Sequence, residues 1–256
     1  MLPIVVPDEF RIIAHRGASA YAPENTFAAF DLARKMGASE VEIDVQLATD
    51  GTIVLCHDRT LDRYGHGARV VEEMTSAELL ALDMGSWFSP YLYASERAVT
   101  LDALFDRYGD AFTYHVEIKG AHADLPATVN RAIMGRGLAD RCIVTSFSYD
   151  QLARLKASNP DLRRAWLVKQ ADPATFDAAQ ALGVFQWCPA ADAVNAALVE
   201  QARKVATEVR AWGVKGEPEA VVALIQKVVA SGCDGMTINW PDWVIHRSDV
   251  RSVKTR

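Results

Sequence analysis

Four short clusters in the first half of the chain carry residue types suited to acid–base and anion chemistry: His15-Arg16-Gly17, Glu42-Ile43-Asp44, His57, and Glu117-Ile118-Lys119. Glu42 and Asp44 sit two apart inside the alternating run 41–47, and Glu117 and Lys119 sit two apart at the end of the run 112–118. Side chains alternate along a strand, so each pair projects to one face. Three carboxylates brought together cannot all stay ionised without a compensating cation. Hard divalent ions such as Mg²⁺ or Ca²⁺ take oxygen ligands, which makes Glu42, Asp44 and Glu117 a candidate metal cage. His15 and His57 add titratable groups, while Arg16 and Lys119 add charge for an anion. Taken alone, Glu42-Ile43-Asp44 also fits the solvent face of a half-buried strand. The coincidence of all four clusters at strand ends favours a site for an anionic, phosphorylated substrate.

Such a site needs a scaffold that gathers strand ends. Apolar strand-like runs at 10–14, 41–47, 112–118, 142–146, 164–168, 184–187, 205–211 and 235–238 alternate with helical patterns. The helical patterns cover 24–36, 101–108, 125–137, 149–158, 173–182, 191–203 and 218–231, with Pro218 and Gly232 as start and stop signals. Eight strands with helical crossovers predict an α/β fold, a closed (β/α)₈ TIM barrel rather than an open sheet, and such barrels carry their sites at the strand C-termini. Residues 49–51 predict a turn and 53–56 a short return strand. The segment 58–100 is too long and turn-rich for one crossover. Its aromatic residues Trp87, Phe88, Tyr91 and Tyr93 predict a folded cap inserted after the second strand of a single domain, 1–256. His66, His122 and His246 read as surface residues, and His115 as a barrel-interior residue in a supporting role.

Composition narrows the function. The chain has 256 residues, 50% of them hydrophobic, and 27 basic against 33 acidic residues for a formal charge of −6. That balance lacks the basic footprint of a nucleic-acid binder. No apolar run is long enough for a transmembrane segment, and the first ten residues lack the basic start of a signal peptide. The basic cluster 247–256 reads as a solvated terminus. Cys56, Cys142, Cys188 and Cys233 stand far apart with no CxxC pair, which predicts reduced thiols and a cytoplasmic location.

Over nearly its whole length the sequence resembles the glycerophosphodiester phosphodiesterase family. The resemblance rests on an ordered series: Ala14-His15-Arg16-Gly17, Pro23-Glu24-Asn25-Thr26, Glu42-Ile43-Asp44-Val45, Asp50-Gly51, Val54-Leu55-Cys56-His57-Asp58, Leu61-Asp62-Arg63, Gly85-Ser86-Trp87-Phe88, Thr100-Leu101, Glu117-Ile118-Lys119, Ser146-Phe147 and Pro241-Asp242. It implies a TIM barrel with a cap after the second strand and metal ligands at Glu42, Asp44 and Glu117. It also implies acid–base histidines at His15 and His57 and phosphate contacts from Arg16 and Lys119. Phe147 and Trp212 would line the substrate's alcohol groups, with Glu24 and Asn25 supporting the first loop. The sequence departs from the family's pattern at Trp212-Gly213-Val214-Lys215, at Tyr64, at His115 and at Asn239-Trp240-Pro241. These departures spare the metal and histidine set and bear on substrate choice.

The implied reaction is metal-dependent hydrolysis of a small-molecule glycerophosphodiester to glycerol 3-phosphate and an alcohol, within lipid and glycerol metabolism. Two alternatives stand beside it: a related lyase that releases a cyclic phosphate, and a non-catalytic barrel that binds phosphate esters. Chain order assigns neither histidine as the acid. The sequence also leaves open the leaving alcohol, the choice of metal, and whether the barrel forms a homo-oligomer.

Overall fold

The computed structural model describes residues 2–250, so residues 251–256 of the basic tail lie outside it. The chain begins with β1 (Ile4–Val6) and β2 (Arg11–His15), followed by α1 (Phe27–Lys35), β3 (Glu40–Leu47) and the return strand β4 (Ile53–Leu55). After α2 (Ser76–Leu80) and α3 (Leu101–Tyr108) come β5 (Thr113–Ile118), α4 (Leu125–Gly135), β6 (Cys142–Ser146), α5 (Tyr149–Ser158) and β7 (Arg164–Leu167). The last part comprises α6 (Pro173–Leu182), β8 (Gln186–Cys188), α7 (Ala196–Ala202), β9 (Glu208–Val214), α8 (Pro218–Ala230), β10 (Gly235–Ile238) and β11 (Val244–His246). Strands β2, β3 and β5 to β10 pair in parallel, and β10 returns to β2, which closes an eight-stranded barrel. The TIM-barrel expectation is met.

The barrel's two halves differ inside. Around β6, β7 and β8 the interior holds an apolar group, Ile143, Ala165, Leu167 and Cys188 packed against Phe147, Phe185 and Trp212, beside the buried Thr145 and Gln186. The interior of β2, β3 and β5 carries charge. At the N-terminal end of the strands, Arg11 bridges Glu40 and Glu208 at 2.8 and 2.9 Å, and His115 Nε2 meets Glu40 Oε2 at 2.8 Å. His115 is therefore an interior residue two positions below Glu117, tied to a polar plug. Two extensive apolar clusters lie between strands and helices, one for each half of the barrel. They satisfy the requirement that parallel strands be covered on the outer face.

Besides the seventh barrel strand, which is Glu208–Val214 (β9) rather than 205–211, three local outcomes differ from the sequence reading. Helix α1 starts at Phe27 rather than at residue 24, because Thr26 caps it by accepting from Ala29 N, while Asn25 adopts a left-handed backbone at φ 57°. Helix α7 starts at Ala196 rather than 191, with Asn195 as its cap, accepting from Leu198 N at 3.0 Å. The third is the unforeseen parallel pair β1–β11, whose three-residue strands are too short to display a period. His66 and His246 are half-buried rather than surface residues, each with Nε2 at 2.7 Å from a backbone carbonyl, of Asp83 and Phe10 respectively.

The segment 58–100 folds on its own small core, in which Leu61, Tyr64, Val71, Met74, Leu79 and Met84 are buried beside Val54 and Cys56. Short bridges Thr60–Val70 and Asp83–Arg97 stitch it together. Trp87 stacks edge-on to Tyr64 at 5.6 Å, so the aromatics singled out in the sequence include packing elements of this segment.

Candidate active site

Strand register brings the carboxylates together. Glu42 pairs with His15 across β2–β3, and Asp44 pairs with Glu117 across β3–β5. The intervening Ile43 and Ile118 face the outer core, as strand alternation requires. Ligand oxygens of Glu42, Asp44 and Glu117 lie within 4.8 Å of one another, and all three side chains are buried. Glu42 Oε1 and Asp44 Oδ1 accept no hydrogen bond. Burial and the neighbouring carboxylates push Glu42 well above the ordinary carboxylate range and raise Glu117 as well. For Asp44, burial is outweighed by Arg16 and Lys119, which hold it below that range. Buried carboxylates with unused oxygens fit a hard divalent cation, which would relieve the repulsion they impose on one another.

The loop after β2 is shaped to surround this triad. Arg16 has a left-handed backbone, φ 55°, and its guanidinium lies 2.9 Å from both Asp44 Oδ2 and Glu24 Oε2. Asn25 donates to Asp44 Oδ2 at 2.9 Å from the other side. Gly17, at φ 84°, passes so close to α1 that a Cβ there would lie 2.6 Å from the carbonyl carbon of Ala29. Lys119 Nζ sits 2.6 Å from Glu117 Oε1 and 3.6 Å from Asp44 Oδ1.

The two histidines flank the triad with different partners. His15 Nε2 faces Glu42 Oε2 at 3.8 Å, and its Nδ1 lies 2.6 Å from Asn239 Oδ1. Burial and the Arg16 guanidinium lower His15 to about 3. His57 Nδ1 lies 2.6 Å from Asp58 Oδ1, and burial lowers its pKa too. A chain of ion pairs continues from Asp58 to Arg63 at 2.7 Å and from Arg63 to Glu24 at 2.5 Å, ending at Arg16. Tyr64 adds a hydrogen bond to Glu24 at 2.9 Å. The inserted segment thus holds His57 and Arg16 through one network.

A cleft of about 280 Å³ takes in His15, Arg16, Glu42, His57, Glu117 and Lys119 on one side and Phe147, Trp212 and Lys215 on the other. Phe147 and Trp212 meet edge to face at 4.9 Å. Every residue singled out as a site candidate lies on this cleft except Asp44, which stands behind it in the triad. Sequence reasoning assigned no role to Asp58, Arg63, Asn239 or Arg210. A signal existed for Asp58, a carboxylate adjacent to a candidate histidine, and for Arg63, five residues from it in the Leu61-Asp62-Arg63 motif, but not for Asn239 and Arg210, whose partners His15 and Thr237 are distant in sequence.

A profile of the Glycerophosphoryl diester phosphodiesterase family matches residues 15–243. The chain belongs to this family. It is 30% identical over 239 residues to the glycerophosphodiester phosphodiesterase of Caldanaerobacter subterraneus subsp. tengcongensis, covering 92% of this chain and 96% of that one. The crystal structure of a glycerophosphodiester phosphodiesterase from Agrobacterium tumefaciens superposes with a TM-score of 0.79 at 28% identity, over 91% of this chain and 98% of that one. An Oleispira antarctica phosphodiesterase, solved with the product sn-glycerol-3-phosphate, superposes with a TM-score of 0.80 at 26% identity, over 100% and 98% of the two chains. Among the described residues no helix is long and apolar enough to cross a membrane.

Proposed function

We propose that this single domain, residues 1–256 with its insertion at 58–100, hydrolyses glycerophosphodiesters to glycerol 3-phosphate and an alcohol with the help of a divalent cation. The observation that carries the reading is a triad of buried carboxylates, Glu42 and Glu117 on the cleft wall and Asp44 just behind it, beside two histidines that line the same cleft. Glu42, Asp44 and Glu117 would hold Mg²⁺ or Ca²⁺, whose charge would polarise the phosphoryl oxygens and offset the negative charge of the transition state. Arg16 and Lys119 would orient the phosphate, and Phe147 and Trp212 would hold the alcohol groups. The four free cysteines are all buried, which supports a reducing compartment, the cytoplasm.

A glycerophosphodiester carries a hydroxyl beside its esterified carbon, tethered close to phosphorus. Tethering of this kind supplies effective molarities of ~10⁵ M or more, enough to outcompete bulk water. In the proposed step His15 takes the hydroxyl proton as the new O–P bond forms. His57 gives a proton to the alcohol as its P–O bond breaks, leaving a cyclic phosphate. The roles then reverse: water attacks phosphorus, the ring P–O bond opens, and glycerol 3-phosphate leaves. Rapid-quench analysis tests the sequence of events. A transient cyclic glycerophosphate followed by glycerol 3-phosphate is expected. A cyclic product that accumulates and never opens would identify a lyase instead.

A further inference from the structure

Strand β9 is irregular where it meets the cleft. Ala211 stands beside Met236 and Val214 beside Ile238, so Trp212 and Gly213 together oppose the single residue Thr237. Gly213 makes this possible by adopting φ 79°, a conformation that side-chain-bearing residues rarely take. One extra residue reverses the alternation beyond it. Without the bulge, Val214 would follow Arg210 and Trp212 inward and Lys215 would turn toward the helices. With it, the Val214 side chain joins the outer core at 3% exposure while the 213–214 segment still borders the cleft, and Lys215 follows it on the cleft lining.

Among the described residues no carboxylate pairs with the Lys215 cation. Among the described residues it forms no ion pair or hydrogen bond, and its chain neighbours Glu217 and Glu219 make none with it. The cations deeper in the cleft are committed, Arg16 to Glu24 and Asp44, and Lys119 to Glu117 and Asp44. The cleft's lining acids, Glu42 and Glu117, both belong to the triad, so the wall formed by Phe147, Trp212 and Lys215 carries none. Lys169 reinforces the sign of this wall, with its Nζ 5.7 Å from the centre of the Phe147 ring.

In a diester the glycerol arm is constant and must reach the histidines, whereas the leaving arm varies in size and must extend toward solvent. Lys215 is exposed at the cleft's mouth, where that variable arm would emerge. We propose that Lys215, turned onto the cleft wall by the bulge at Gly213, selects glycerophosphodiesters whose leaving alcohol carries a negative charge, such as a further phosphate or a carboxylate. The inference rests on the function proposed above and adds the substrate's charge class to it.

A matched pair of substrates tests it, glycerophosphoinositol and its inositol-monophosphate counterpart, which differ in the charge of the leaving group. At low salt the charged substrate is expected to show a kcat/KM about fivefold higher, carried by KM, since one solvent-facing charge pair contributes about that factor. The advantage should shrink as salt is added. K215Q should bring the ratio to unity and K215R should restore it, while K204Q, a control remote from the cleft, should keep the wild-type ratio. Equal kcat/KM for the two substrates in the wild type overturns the proposal, and so does a ratio that survives K215Q. Either result leaves the hydrolase reading intact, whereas failure to cleave any glycerophosphodiester removes both.

Discussion

His57 Nδ1 is held 2.6 Å from a carboxylate oxygen of Asp58, its neighbour in the chain. His15, across the triad, has the amide oxygen of Asn239 at the same distance. A carboxylate stabilises an imidazolium far better than an amide does, and His15 is held down to about 3 by burial and Arg16. This asymmetry supports the proposed division, with His57 as the general acid and His15 as the base.

A general acid matters when the leaving alkoxide is basic and matters little when it is stable without a proton. H57A is therefore expected to lose about 10²-fold or more in kcat on an alkyl glycerophosphodiester and to stay close to wild type on the p-nitrophenyl ester. H15A should lose activity on both. Steady-state kinetics of both variants on both esters check the division, and equal losses throughout would contradict it.

Glu24 links the inserted segment to the first loop, and its ion pairs give it a pH signature. Burial opposes its ionisation, but the hydrogen bond from Arg63 and the charge of Arg16 win, lowering it from 4.5 to about 2. Between these values the unfolded chain binds the proton more readily than the native one, so Glu24's contribution is present above about 4.5 and is lost as the pH falls toward 2. The contribution is on the order of 3 kcal/mol. E24Q should lower the denaturant midpoint at pH 7 and flatten its fall between pH 4.5 and pH 2, relative to wild type. Parallel pH–stability curves for the two proteins would rule the linkage out.

Gly17 lets the loop carrying His15 and Arg16 lie against α1. In G17A the new methyl group would meet the backbone of Ala29 at 2.6 Å, and the residue would hold an unfavourable φ of 84°. Left-handed backbone and overpacking together cost about 3 kcal/mol. Thermal unfolding should show a lowered Tm, with activity lost even at temperatures where the variant is folded, because Arg16 no longer reaches Asp44. An unchanged Tm would mean that the loop relaxes freely and does not position the site.

The barrel was legible because eight apolar runs and their crossovers keep their periods. The triad was legible because Glu42-Ile43-Asp44 and Glu117-Ile118-Lys119 put charge on one face and isoleucine on the other. Register could not be read, and register is what sets Asp44 beside Glu117 and Glu42 beside His15. The resemblance marked Asn25 as a supporting residue, but the pattern placed it inside a helix, since nothing local announces the left-handed backbone that turns it toward Asp44. The bulge in β9 was invisible for a similar reason: the pattern ended that strand at 211, short of Gly213, and only the pairing with β10 reveals that the strand runs on to Val214 with an extra residue.

In the proposed function Glu42, Asp44 and Glu117 make a cation-dependent catalytic site. Titration of Mg²⁺ or Ca²⁺ into chelator-treated protein, followed by calorimetry and by turnover of a glycerophosphodiester in the same samples, tests it most directly. The chelated protein should be folded and inert, and activity should return in step with saturation of the site. E42Q and E117Q should require far more metal for both signals. Full turnover by chelated, metal-free protein, or wild-type metal affinity in E117Q, would contradict the claim.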